Sequence, residues 1–419
     1  MKVFKFGGAS VKDSAGVKRL ASVLGYFSQD DILVVVSAMG KSTNALEKIV
    51  GFYIAEDLQS CNESIMQLEK YHFDIIADLN FPSDALIFAE IDQLFSQLKL
   101  KLGTKINGGF NKVYDQIVSF GELLSSKIVS GYLNHNSYNN LWLDARQLIK
   151  TDQNYRFARV DWLYTERMLQ ESVQIGARYL TQGFIASDDM GNTTTLGREG
   201  SDYSASIIAY CLDALEVVIW KDVPGVLNGD PKVFTNTILL NQINYREAIE
   251  LAFYGASVIH PKTIQPLQEK GIPLKVKSFE NPEAAGTAIS EGLSLEPMAA
   301  CFIKKNHQLL IKVSTRDLAF IAEDHLSKIY QLFHQFGARV NLSQHSAVSS
   351  SFCINYDTIN AEPLCRELAK SFDLIQKEGI SLFTIRHHNA SAREEIKNRG
   401  KVLLEQITEG TYQVAIQEA

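Results

Sequence analysis

What most narrows the folds open to this chain is a set of three short, mostly apolar runs at residues 3–6, 32–36 and 215–220, interrupted only by Lys5 and Glu216. Each is β-branched or aromatic, each is bounded by turn or charged residues, and none alternates apolar with polar. Alternation marks a strand with one wet face, whereas an apolar run without alternation marks a strand buried on both faces. Such strands belong to a largely parallel sheet covered by helices, because a parallel pair needs a crossover that lays a helix on the sheet. Residues 14–27 supply one. There Val17, Leu20, Ala21, Val23 and Leu24 recur at helical spacing between the first two runs, completing a β-α-β unit.

From about residue 44 to 132 the chain reads as mostly helical, with apolar positions three or four apart over 58–79 and 86–102. This is a packing layer that can still bring one polar end to a site. A second α/β portion follows, with strands expected at 140–143 and 182–186. Residues 281–297 mix Pro, Gly, Glu and Ser without periodicity, which places a boundary between a domain at 1–290 and a region at 291–419. Beyond it come a strand (308–314), a helix (322–336), two strands (339–343 and 352–356) and a helix (362–371). This β-α-β-β-α order builds a small sheet with helices on one side. A second, short copy follows, with a strand at 380–385, a helix at 390–398 and strands at 402–405 and 411–416, but no final helix. Repeated small α+β units suggest ligand sensing or dimerisation.

At 419 residues the chain exceeds one ordinary core, and 46 % hydrophobic with 21 % charged residues describes a globular protein. A formal net charge of −7 disfavours a long nucleic-acid footprint, which needs a basic face. The five cysteines are scattered and form no C-x-x-C pair, as expected of a reduced cytoplasmic protein. No segment approaches the roughly 20 apolar residues of a membrane span, and Gly7, Gly8, Lys12 and Asp13 interrupt any secretory core at the N-terminus.

Candidate chemistry gathers where strands end. In KFGGAS, Lys5 precedes Gly7 and Gly8 at the end of the first run, where ligands of open parallel sheets bind and glycines let N–H groups approach an anion. The order excludes a Walker A loop, and a glycine pair taken alone is more often just a turn. The second run ends in VVVSAMGKSTN. Ser37, Ala38 and Gly40 leave space there, while Lys41, Ser42 and Thr43 offer donors or a helix cap. TTTLGREGSDYSAS is more specific. Gly197 and Gly200 frame Arg198, Ser201 and Asp202, and the helix expected at 203–212 turns an anion-favouring N-terminus toward them. Arginine suits a carboxylate, and Asp202 beside an anion site should pair with a lysine or contact a metal-bound water. IWKDVPGVLNGDPKVF clusters Asp222, Asp230 and Lys232 after the third run, as a nucleotide contact or a solvated turn. Glu122 in FGELLSS fits either a substrate amine or a helix dipole, and His260 before Pro261 reads as structural. No His, Cys and Asp residues have metal-site spacing, so no protein-held metal is expected.

Taken in order, KFGGAS, VVVSAMG, FGE, QGFIASDDMGNTTTLGREGSDYSA, KDVPGVLNGDP and FYGASVIHP resemble the successive signatures of aspartate kinases. The resemblance runs from Lys2 to about Gly286 and continues more loosely into C-terminal units similar to ACT domains. It implies the amino acid kinase fold, a largely parallel sheet covered by helices, followed by small ferredoxin-like α+β ACT units. The implied reaction is ATP-dependent phosphorylation of the L-aspartate β-carboxylate, the entry to lysine, threonine and methionine synthesis, with Mg²⁺ carried mainly by the ATP phosphates. By resemblance Lys5 bridges the transferring phosphoryl oxygens, Asp202 holds Lys5, and Gly7, Gly8 and Ser37 line the phosphate path. Arg198 takes an aspartate carboxylate and Glu122 its amino group, with Thr43 and Ser201 as further substrate contacts. Lys221, Asp222 and Lys232 meet the nucleotide. A homodimer through the ACT-like units is implied, with neither nucleic acid nor membrane as partner.

The chain departs from the family at Ala9 and Lys221, where Thr is common, at Leu227, where Tyr often stands, and at Lys232, where Arg is usual. In the sensing region Asn341 replaces an acidic residue of lysine-inhibited members, and an amide pairs more weakly with an ammonium. Kinases for glutamate or a carbamate would share the fold, but Arg198 and Glu122 favour an amino acid with a second carboxylate. A sensor without chemistry would have no need of Lys5 and Asp202. Fusion to a homoserine dehydrogenase is disfavoured by the lack of a G-x-G-x-x-G opening and of a further domain.

Overall fold

In the computed structural model, which describes residues 1–256, 259–292, 294–317, 319–356 and 361–418, the first apolar run becomes strand β1 (Lys2–Phe6). Helix α1 (Ser14–Tyr26) and strand β2 (Ile32–Val36) follow. All of β2, and all of β1 after Lys2, is buried, which is why neither alternates. Asp13 starts α1 by accepting the Gly16 N–H at 2.7 Å, and Val17, Leu20, Val23 and Leu24 form its buried stripe. The helical stretch resolves into α2 (Ser42–Ile54), α3 (Leu58–Asp78), α4 (Leu86–Leu102), α5 (Gly109–Val118) and α6 (Phe120–His135). Their apolar faces share one core with β1 and β2. The first two turns of α6 are wholly buried, so its polar residues Glu122, Ser125 and Ser126 lie inside the protein.

Next come β3 (Leu141–Leu143), α7 (Ala145–Leu148), α8 (Trp162–Ser172), β4 (Tyr179–Gln182), β5 (Ile185–Ser187), β6 (Thr193–Thr195), α9 (Gly200–Cys211) and β7 (Val217–Lys221). The single strand expected at 182–186 is thus two. Gly183 and Phe184, the latter at φ 68°, turn the chain, and β5 pairs antiparallel with β6 rather than joining the main sheet. A Cβ at Gly183 would stand 2.5 Å from that of Ser201, so the turn answers to the packing of α9, a contact no local pattern encodes. The third run starts late because Leu215 points into solvent. The remaining elements are β8 (Val226–Leu227), β9 (Leu239–Leu240), β10 (Gln242–Ile243), α10 (Tyr245–Tyr254), α11 (Pro261–Lys270), β11 (Leu274–Ser278) and β12 (Thr287–Ile289). The main sheet runs β10-β12-β11-β7-β1-β2-β4-β3 and is parallel throughout except between β11 and β12. β1 is therefore central, with the C-terminal ends of β2 and β7 on either side of its own.

The chain forms two compact units. One comprises Met1–Val226, Leu240–Ile249 and Ile259–Ser294, and the other Leu227–Leu239, Glu250–Val258 and Leu295–Ala419. In the second, β13 (Cys301–Ser314), α12 (Glu323–Gln335), β14 (Val340–His345), β15 (Ser349–Asn355), α13 (Ala361–Ala369), β16 (Asp373–Arg386), α14 (Ala390–Lys397), β17 (Gly400–Ile407) and β18 (Thr411–Glu418) build one sheet, ordered β14-β15-β13-β16-β18-β17. Both α+β copies share it. The end of β13 pairs with β15 and the start of β16, whereas Cys301 to Lys305 pair with the end of β16. The strand expected from 308 thus begins at 301, with a register shift between Lys305 and Gln308 where it changes copies. Reading along the chain could not show this, because the strand precedes the copy it completes.

That second copy carries α14 and, among the described residues, no second helix. Phe234 and Val233, from the segment Leu227–Leu239, pack instead with Phe302, Phe383, Ile396 and Tyr412. The Arg399 guanidinium lies 4.7 Å from the Phe234 ring centre. Asn341 accepts from the Lys305 ammonium at 2.9 Å and donates to Gln308 at 2.7 Å and Asn355 at 2.6 Å. The amide at this position thus faces an ammonium belonging to the chain itself.

Candidate active site

Lys5 stands in β1 between Val35 of β2 and Ile219 of β7, so its stem is enclosed by neighbouring strands. The residue is only 8 % exposed, and its Nζ lies 2.5 Å from Asp202 Oδ1. An unpaired buried charge costs several kcal/mol, so each side chain requires the other. Asp202 is delivered by the first turn of α9, whose N-terminus also favours an anion. Asp202 thus has the lysine partner that the sequence called for.

The loops after β1 and β2 touch backbone to backbone. Gly40 N–H donates to Gly8 O at 3.0 Å, and Ser37 N–H donates to Phe6 O at 3.1 Å. A Cβ at Gly8 would come within 2.7 Å of Ala38 O, so only glycine permits this approach. Beside these loops opens a cavity of about 470 Å³, whose wall holds Lys5, Gly8, Ser37, Thr43, Glu122, Arg198, Ser201 and Asp202. Residues far apart in the chain thereby reach one space. Gly7 adjoins it, since a Cβ there would lie 3.4 Å from Lys5 Nζ. Lys221 ends β7 and Asp222 follows it, outside this wall, and Lys232 is an exposed residue of the second unit.

Glu122 is 3 % exposed. Its Oε1 accepts the Ala38 N–H at 3.3 Å, while Oε2 has no partner among the described residues. Burial pushes its carboxyl from the ordinary range up to about 8, with the Ala38 N–H pulling weakly the other way. An orphaned carboxylate oxygen in a cavity wall is the complement of an ammonium. Arg198 is exposed in the loop before α9, and Gly197 beside it adopts φ 81°. His260 caps α11 by accepting the Lys262 N–H, and its own N–H donates to Glu199 at 2.9 Å, which is a structural role. The neighbouring Ser257 and Val258 of GASVIHP lie outside the described residues.

Among further wall residues, Tyr114, Arg156 and Phe157 carry no signal in the sequence, while Phe184 and Thr195 lie within a signature block without being singled out by it. Behind them Asp115, fully buried, accepts from the Arg156 N–H at 3.0 Å, the Thr195 N–H at 2.8 Å and the Thr195 hydroxyl at 2.7 Å. Burial raises its carboxyl to about 6 despite those donors. The one available clue was an aspartate on the apolar face of a helix, between Tyr114 and Ile117.

The profile of the amino acid kinase family matches residues 1–278, two thirds of the chain. The chain belongs to this family. Its relatives there include aspartokinase 2 of Arabidopsis thaliana chloroplasts, 30 % identical over 90 % of this chain and 70 % of that protein. Lysine-sensitive aspartokinase 3 of Escherichia coli is 29 % identical over 91 % of this chain and 86 % of its own length. Against Arabidopsis aspartokinase 1 the identity is 32 %, but the match spans only 63 % of that longer protein. The crystal structure of E. coli aspartokinase III in complex with aspartate and ADP covers 99 % of this chain and 96 % of its own at 25 % identity, with a TM-score of 0.81.

Proposed function

We propose that this chain is an aspartate kinase, transferring the γ-phosphoryl group of ATP to the side-chain carboxylate of L-aspartate to give 4-phospho-L-aspartate and ADP. The product enters lysine, threonine and methionine synthesis. The observation that carries this is the pairing, in one cavity, of a buried cation held by its own carboxylate with a second buried carboxyl group one of whose oxygens lacks a partner among the described residues. The solved relative named for its aspartate and ADP supports the same acceptor and donor.

The aspartate ammonium meets Glu122 Oε2, one carboxylate meets Arg198, and Thr43 and Ser201 border the acceptor. The other carboxylate, ionised at neutral pH, attacks the γ-phosphorus without needing a general base. Its oxygen forms the new P–O bond as the bond to the bridging oxygen breaks, and ADP keeps that electron pair. Charge spreads over the phosphoryl oxygens in the transition state, and Lys5, fixed by Asp202, stabilises it there. Gly7, Gly8 and Ser37 offer N–H groups to the phosphates, and Lys221, Asp222 and Lys232 serve the nucleotide. ATP would carry Mg²⁺ on its own phosphates, where the ion would supply countercharge. Asp202 is committed to Lys5 and Glu122 to the acceptor, which suits a metal held mainly by substrate. The second unit serves as a homodimer contact. Five free, buried cysteines suit a reducing compartment such as the cytoplasm. Among the described residues no helix is long and apolar enough to cross a membrane.

The test is hydroxylamine trapping of the acyl phosphate with ATP and a panel of acids. Hydroxamate from aspartate supports the assignment. Product only from glutamate or another acid overturns it.

A further inference from the structure

Arg156 occupies the wall of the acceptor cavity along with Arg198, yet it lies in the 151–160 loop, which has no recognisable motif. Among the described residues its guanidinium makes no ion pair and no hydrogen bond. It is held by aromatic faces, with the guanidinium carbon 4.4 Å from the Tyr114 ring centre, 5.5 Å from Phe110 and 5.9 Å from Phe157. Tyr114 is itself fixed, its hydroxyl donating to Glu47 at 2.7 Å. Stacking occupies the flat face of a guanidinium and leaves its in-plane N–H donors free, the arrangement that receives a carboxylate edge-on.

The backbone of this residue is also constrained. Arg156 adopts φ 68°, a left-handed conformation uncommon for a side-chain-bearing residue and enriched at functional positions. It is kept there by its N–H bond to buried Asp115, which binds Thr195 as well. Gly197 lies directly against it, since a Cβ at Gly197 would stand 3.0 Å from Arg156 O. One buried carboxylate and one glycine contact therefore register the Arg156 loop on the loop that carries Arg198. A surface arginine stacked for packing alone needs none of this.

We infer that Arg156 is a second carboxylate-binding residue of the acceptor site, and that Arg156 and Arg198 together hold the acceptor carboxylate that is not phosphorylated. This rests on the acceptor being aspartate, as proposed above. An acceptor with two carboxylates must place one near Lys5 and bury the other. Two guanidinium groups on the second would make the site select acceptors charged at both ends.

The experiment compares Arg156→Gln and Arg156→Lys with the parent enzyme, using L-aspartate and its α-amide as acceptors and ATP as donor, with thermal unfolding as a check on folding. Activity of the parent on aspartate tests the proposed function separately. With aspartate, Arg156→Gln should raise KM at least tenfold while leaving KM for ATP within twofold. With the α-amide, which lacks the charge Arg156 would meet, the substitution should change kcat/KM less than threefold. Arg156→Lys keeps the charge but loses the planar fork and should fall between. Equal losses on both acceptors, or no change with aspartate, would overturn the assignment. If Arg156→Gln unfolds, Arg156→Lys carries the same comparison.

Discussion

Glu122 offers the sharpest test of how the acceptor is bound. Its carboxyl is enclosed, has one long hydrogen bond at 3.3 Å, and is pushed from 4.5 to about 8 by burial. At about 1.4 kcal/mol per pKa unit, ionising it in the empty site costs on the order of 5 kcal/mol. An ammonium seated at Oε2 offsets that cost, so aspartate should bind the ionised form and release a proton from Glu122 on binding below pH 8. KM for aspartate should then fall roughly tenfold per pH unit between pH 6 and 8 and level off above. The sign for stability follows from the same shift. The folded carboxyl holds its proton more tightly than the unfolded one, so the empty protein loses stability as pH rises from about 4.5 to 8. Aspartate should raise the melting temperature more at pH 8 than at pH 6. Glu122→Gln should raise KM for aspartate, flatten its pH profile and remove that stability slope. The assay is steady-state kinetics with aspartate varied at saturating ATP across pH 6 to 9, alongside thermal unfolding. A pH-independent KM for the parent, or an unchanged KM in the variant, would refute the assigned contact.

Three further outcomes are expected. Lys5→Met combined with Asp202→Asn, which avoids stranding a buried charge, should lower kcat by about 10³ or more while leaving the far-ultraviolet circular dichroism unchanged. Activity within tenfold of the parent would remove Lys5 from the reaction. Gly8→Ala places a Cβ 2.7 Å from Ala38 O, so the two loops must part; KM for ATP should rise several-fold with a stability loss of about 1–3 kcal/mol in denaturant titration. Phe234→Ala should destabilise the protein by about 3–5 kcal/mol in denaturant titration, because Phe234 packs with Phe302, Phe383 and Tyr412 in the core of the second unit. A loss below about 1 kcal/mol would show that the Phe234 segment contributes little to that core.

Much of this protein is determined by its sequence alone. Apolar runs without alternation mark strands covered on both faces, so the parallel sheet and its helices were legible from residues 3–6, 32–36 and 215–220. A lysine in such a strand needs a partner, and the TTTLGREGSD stretch contained it. Legibility ended where the cause is a contact between distant segments. Nothing near Glu122 says that α6 is buried at its start, and it is this enclosure that sets its proton affinity. Nothing near Arg156 marks it either, because its role depends on Asp115 in α5 and Gly197 in another loop. The same holds for the second α+β copy, completed by a strand that precedes the first and closed by Phe234 from far upstream. Periodicity records which face of an element is wet. Only tertiary packing decides which partner makes it dry, and with that the charge, strain and donors left facing the cavity.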